Sequence, residues 1–176
     1  MNFHLARLQN DIASATVGLS PDVCAWHLEG KWSISEILEH LYLTYTATTK
    51  GFERCLANGA PLAGVPTVKD RFRAFVVLRF DYLPEGRKAP KQATPRGLPP
   101  EEVRSNIFAR LADMDVVISH AAQKYGGSVR LLDHPILGPL GANDWCVFHR
   151  IHGHHHVKQI LRLRNAAAAQ KSRAIS

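Results

Sequence analysis

No run of apolar residues in this chain approaches the roughly 20 that a membrane-spanning helix needs, so an integral membrane protein is not expected. Cysteine is scarce. Cys24, Cys55 and Cys146 are odd in number, widely spaced and never in a C-x-x-C pair, which argues against a disulfide framework or a cysteine-based zinc module. Such usage fits a reducing cytoplasm. The opening residues Met1-Asn2-Phe3-His4 lack a basic stretch followed by an apolar one, so no secretory signal is expected. Alternating strand patterns are nearly missing, with residues 127–132 the one weak candidate. There is no internal repeat, and low complexity is limited to the alanines at 166–169.

What is present is enough apolar residue, 45% of 176, to build one ordinary core, and we expect a single domain over residues 1–176. Four long segments carry helical periodicity. The first, residues 2–17, places Leu5, Leu8, Ile12 and Ala15 on one face. The second begins at Ser33, where Ser33 and Glu36 form an S-x-x-E capping box and Trp32 with Ile37 a hydrophobic staple. Its stripe runs Ile34, Ile37, Leu38, Leu41, Tyr45, Thr48, Phe52, Cys55 to Asn58-Gly59. The third starts at Pro99-Pro100, with Glu101 and Glu102 in its first turn, and stops at Gly126-Gly127. Its stripe is Val103, Ile107, Leu111, Met114, Ile118, Ala121 and Tyr125. The fourth starts near Asn143 and Trp145 and runs past Leu163. Between the second and third lies a proline-punctuated stretch, residues 59–98, with a short extra helix predicted at 68–82. The expected fold is all-α, a four-helix bundle with one long crossover.

The formal charge of +7 has much of its origin in that crossover, where residues 69–96 hold eight basic and three acidic side chains. Lys69, Arg71, Arg73, Arg79, Arg87, Lys88, Lys91 and Arg96, with Arg162, Arg164, Lys171 and Arg173 in the tail, suggest contact with nucleic acid or an anionic ligand. No helix-turn-helix or zinc-finger pattern accompanies them, so nucleic acid is not the expected partner. The predicted helices at 68–82 and 2–17 suit self-association, and a homodimer is expected.

Ten histidines are the unusual entry in the composition, five of them between His149 and His156. His152 and His156 stand at i and i+4, stacked on one helical face, with His149 and Gln159 extending it. Trp145, Phe148, Ile160 and Leu163 mark the core side, so His152, His155 and His156 fall where a bundle expects Leu or Ile. Burying unpaired imidazoles costs about 1–3 kcal/mol per unsatisfied group. A divalent ion resolves that cost, because neutral imidazole is a common metal ligand. His154 points away, toward solvent. A zinc-protease helix is excluded, since H-E-x-x-H needs Glu where Gly153 stands. His40, on the shoulder of the second helix's stripe, is the best third ligand, ahead of His27 and His134 in loops and His120 beside a core face. Glu36, one turn before His40, can orient it or bind metal, though its capping role comes first. Cys146 suits a lowered thiol pKa or a small core position, the latter preferred.

Taken together these motifs resemble the DinB-like superfamily of metal-dependent proteins. Gly30-Lys-Trp-Ser-Ile-Ser-Glu-Ile-Leu-Glu-His40-Leu is similar to a W-S-x-x-E-x-x-x-H-L signature, and Asp133-His-Pro-Ile-Leu-Gly-Pro-Leu to an H-P-x-x-G-P-L loop. His152-Gly-His-His-His156-Val-Lys-Gln159-Ile is similar to H-x-x-x-H-x-x-Q-I, with Val157-Lys158 where many relatives have Arg-Gly. The resemblance implies a four-helix bundle in which His40, His152 and His156 hold a divalent metal. Three neutral histidines suit zinc or nickel first, with iron or manganese next. It further implies an enzyme using a low-molecular-weight thiol, an S-transferase or isomerase. A metal-dependent hydrolase and a non-catalytic metal-binding or stress-response binding protein are the alternatives. Glu36, His155 and Tyr42 are the candidates for a general base, and His149 and His155 for supporting the site.

Overall fold

The computed structural model describes residues 1–84 and 88–173, and within them the chain is mostly helical with one small sheet. Arg87 lies outside the described residues, as does the side chain of Arg173. Helix α1, Phe3–Thr16, begins where the Asn2 side chain accepts the His4 N–H at 2.9 Å, and buries Leu5, Leu8, Ile12 and Ala15 as predicted. A five-residue helix, α2 (Pro21–Ala25), follows; it is too short for periodicity to announce. Helix α3, Ile34–Asn58, opens on the expected capping box and closes at Gly59, whose φ of +71° is left-handed. Every residue of its predicted stripe is buried.

The crossover contains α4 (Val68–Phe80), capped by a second box between Thr67 and Asp70, and a single 3-10 turn at Lys91–Ala93. Helix α4 ends two residues before the predicted boundary, because Asp81 takes a left-handed φ of 51°. Helix α5 spans Pro100–Tyr125, with Pro100 in its first turn.

The strand expectation needs correcting. Strand β1 covers Arg130–His134 and pairs antiparallel with β2, Gly138–Gly141, so His134 ends a strand and does not lie in a loop. Gly138, opposite His134, has φ +73°, which lets the chain reverse between them. Helix α6, Ala142–Arg173, follows β2 directly.

Helix α3 packs most extensively on α5, and α1 on α6, with α5–α6 and α3–α6 contacts joining the two pairs. The shared core includes Leu8, Leu41, Tyr45, Phe52, Leu111, Met114 and Ile160, all 0% exposed. Each large apolar side chain so buried contributes about 1.5–3 kcal/mol from water exclusion. Among the described residues no helix is long and apolar enough to cross a membrane. All three cysteines are buried as free thiols.

Gly153 lies between the two helix-α6 histidines of interest and is the point of closest approach to α1. A Cβ at this position would overlap the Leu8 side chain, which is itself completely enclosed. Helix formation at Gly153 costs about 1 kcal/mol relative to Ala, and the packing of α1 offsets it. Gly153→Val should lower unfolding stability by about 1–3 kcal/mol through overpacking. Denaturant unfolding of the single and double variants checks this: the penalty of Gly153→Val should shrink when Leu8 is already Ala, and additive costs would show that Leu8 is not the obstruction.

Candidate functional site

The capping box determines where α3 starts and therefore which way His40 faces. Ser33 Oγ accepts the Glu36 N–H at 3.2 Å, and Glu36 Oε2 accepts the Ser33 N–H at 2.8 Å. Seven residues after Ser33, His40 is 4% exposed, and its Nδ1–H donates to the Ala93 carbonyl at 2.7 Å. Ala93 is held there by the neighbouring residue on α3. Both carboxylate oxygens of buried Glu39 accept backbone N–H groups from the crossover, Arg96 at 2.6 Å and Gly97 at 3.1 Å. Glu39 and His40 thus clamp one stretch of crossover between them.

Helix α6 supplies the partners. His152 Nε2 lies 3.1 Å from His40 Nε2 and 3.1 Å from His156 Nε2, and ligand atoms of all three residues fall within 4.8 Å of one another. His156 Nδ1–H donates to Gln159 Oε1 at 2.9 Å, and the Gln159 amide in turn donates to His155 Nε2 at 3.0 Å. With Nδ1 of His40 and His156 committed as donors, both Nε2 atoms present lone pairs to the centre. A single proton on His152 Nε2 makes a linear hydrogen bond to one of them, leaving the lone pair of the other without a donor. A cation satisfies both. Ligand nitrogens about 2.05 Å from a tetrahedral zinc are about 3.3 Å apart, close to the separation found. These three histidines can therefore hold a metal ion. His152 Nδ1 is buried without a hydrogen-bond partner among the described residues.

Aromatic rings exclude water around the cluster. Trp32 lies on His40 with ring centres 5.1 Å apart, and Phe148 stacks on His152 at 5.4 Å and 12°. Desolvation accordingly dominates the titration of every imidazole here. It lowers the pKa of His40, pushes His156 down to about 3, and takes His152 well below its ordinary value. The trio is neutral, lone pairs available, throughout the physiological range. Above it opens a cavity of about 800 Å³ whose walls include Trp32, Phe148, Ile136, Leu132, Phe72 and Gln159.

Other expected residues are placed differently. Glu36 is committed to its capping box, and Tyr42 stacks under the Arg110 guanidinium, so neither stands over the trio. His155 lines the cavity. His149 is completely buried beneath the cluster, with Nε2 3.1 Å from Thr48 Oγ1. His154 faces Asp11 at 3.5 Å, and His27 and His120 are exposed. Burial pushes the Cys146 thiol up to about 12, which makes it a core residue. His134, ranked behind His40 as a third ligand and expected in a loop, lines the cavity and packs on Phe148 with ring centres 4.2 Å apart. Its Nδ1 accepts N–H groups from Ile136 and Leu137, both at 3.1 Å, so its proton is on Nε2. Desolvation lowers its pKa to about 4.

The chain belongs to the family described as "Protein of unknown function (DUF1569)", whose model it matches over residues 8–162. Comparison with curated proteins and with solved structures finds no match.

The buried histidines make stability sensitive to acid. In the unfolded chain they gain protons below pH about 6.5, whereas His134 holds off to about 4 and His149 and His156 to about 3 in the fold. The unfolded state then binds more protons, so stability falls as pH drops from 6.5 toward 4, by up to about 1.4 kcal/mol per pH unit for each such histidine. Denaturant midpoints measured from pH 7.5 downward check the slope; a flat profile above pH 5 contradicts the burial of these rings.

Proposed function

We propose that this chain is a divalent-metal-dependent enzyme of the DinB-like kind, with α1, α3, α5 and α6 forming a four-helix bundle and His40, His152 and His156 as ligands. The observation that carries the reading is the convergence of three neutral imidazoles at the wall of a cavity, His152 Nε2 lying 3.1 Å from both His40 Nε2 and His156 Nε2. No carboxylate joins the set, and three protein ligands leave a position open toward that cavity, as in catalytic rather than structural sites. Zinc or nickel suits such imidazoles best, with iron or manganese next.

A bound ion supplies a Lewis acid that lowers the pKa of a thiol or water on the cavity side. The protein's own groups prepare for this. The Ala93 carbonyl and Gln159 orient two ligands, Trp32 and Phe148 keep water away, and His134 holds a proton at Nε2 on the cavity wall. With Glu36 and Tyr42 engaged elsewhere, and His155 Nε2 accepting from the Gln159 amide at 3.0 Å, the favoured nucleophile is one needing little help to ionise. A thiol, with an ordinary pKa of about 8.5, fits better than water. We therefore favour a thiol-dependent S-transferase or isomerase, acting with a low-molecular-weight thiol in the cytoplasm. For a homodimer, the candidate face is the exposed side of α4, with Phe72 and Phe75 67% and 56% exposed.

Metal analysis after zinc loading should give about one equivalent, lost in His152→Ala. Gln159→Leu should weaken zinc by about 10-fold or more, since ligand-orienting partners contribute on that scale. Quenching of Trp32 fluorescence by cobalt or nickel provides an independent reading. Unchanged metal content in His152→Ala refutes the site. Turnover of an aryl halide should require both added thiol and His40; ester hydrolysis without thiol would favour the hydrolase alternative.

A further inference from the structure

The walls of the cavity carry an unbalanced charge. Five cationic side chains from five separate segments line it: Lys31 before α3, Arg54 on α3, Arg73 on α4, Lys88 in the crossover and Arg162 on α6. Among the described residues, Asp133 is the one carboxylate lining it, and its Oδ1 already accepts the Gly64 N–H at 3.0 Å. Among the described residues, none of Lys31, Arg54, Arg73 and Lys88 forms an ion pair. Elsewhere the molecule does pair its cations, as Arg150 with Asp81 at 2.6 Å and Arg110 with Asp113 at 3.3 Å.

The histidine set adds to the imbalance. Three neutral imidazoles cancel none of a divalent ion's charge, and Trp32 and Phe148 pack directly against them. An unpaired charge in such a place is costly unless an opposite charge accompanies it. Between that centre and the cationic rim, the remaining walls are mostly apolar.

We infer that the cavity takes a small molecule bearing an oxyanion, a carboxylate or phosphate-type group, on an apolar body, with Arg54 and Arg73 meeting the oxyanion at the rim. This rests on the metal reading given above and specifies the ligand class of the same site. The apolar part lies along Trp32, Phe148 and Ile136. Clefts lined by one sign of charge raise the local concentration of the opposite sign, so the rim also speeds capture.

The test uses zinc-loaded full-length protein and three probes of matched body: 4-phenylbutyrate, 3-phenylpropylphosphonate and neutral 4-phenylbutanol. Calorimetric titration should show both anions binding at least about tenfold more tightly than the alcohol, the preference falling as salt is raised. The two anions distinguish a carboxylate from a phosphate site. Arg54→Gln with Arg73→Gln should weaken the preferred anion about fivefold or more, leaving the alcohol and the zinc content unchanged. Arg110→Gln, outside the cavity, serves as a charge control and should change nothing. Should the double variant misfold, the salt dependence of the unaltered protein decides alone. Equal affinity for alcohol and anions in protein that retains zinc overturns this inference and leaves the metal reading standing. Failure to bind zinc overturns both.

Discussion

Imidazole nitrogens repel one another when their lone pairs meet, and here His152 Nε2 is held 3.1 Å from both His40 Nε2 and His156 Nε2. Much of the surrounding architecture serves that juxtaposition. Left to itself the cluster would relax by protonation or by rotation of a ring. Desolvation opposes the first; hydrogen bonds at the far nitrogens of His40 and His156, and the stacking of Phe148 on His152, oppose the second. The site is preorganised in the sense that the three histidines that could hold an ion are already neutral and already brought together.

The means of aiming differ between the two sides. On α6 they are local: Gln159 is one turn from His156 and reaches back along the same helix. On α3 they are remote, because His40 is oriented by a carbonyl 53 residues further along the chain. That carbonyl stays in place because Glu39, the preceding residue, grips the same crossover by two backbone N–H groups. A long connection between helices is thereby turned into part of the cavity wall. It is also the segment that brings Arg73 and Lys88 to the rim.

How much of this was legible in advance follows from the range of each interaction. Apolar stripes report on every residue of a helix, so α1, α3, α5 and α6 and their buried faces could be read within a residue or two. The i,i+4 pair of His152 and His156 and the capping box before His40 are equally local, and they sufficed to nominate the trio. Helix α2 escaped, and the β1–β2 hairpin showed only as a weak strand signal at 127–132, because five and four residues hold too few repeats for a period to show. His134 reads as a loop residue ranked behind His40: Pro135 and Gly138 mark a reversal, but nothing local says that the ring before it turns inward. Glu39 was invisible for another reason. A carboxylate on a buried face reads as an anomaly until its two partners, nearly sixty residues away, come into contact with it.

Gly153 gives the helix of ligands a flat spot, and Leu8 of α1 fills it. A glycine in mid-helix would ordinarily let the segment bend, and this one falls between His152 and His156, where a few degrees of bending would open the distance between two ligand atoms. The weight of α1 against that spot prevents it. The first helix, which contributes no side chain to the cavity, therefore acts as a splint, and the geometry of the histidine pair is owed in part to the opposite end of the chain.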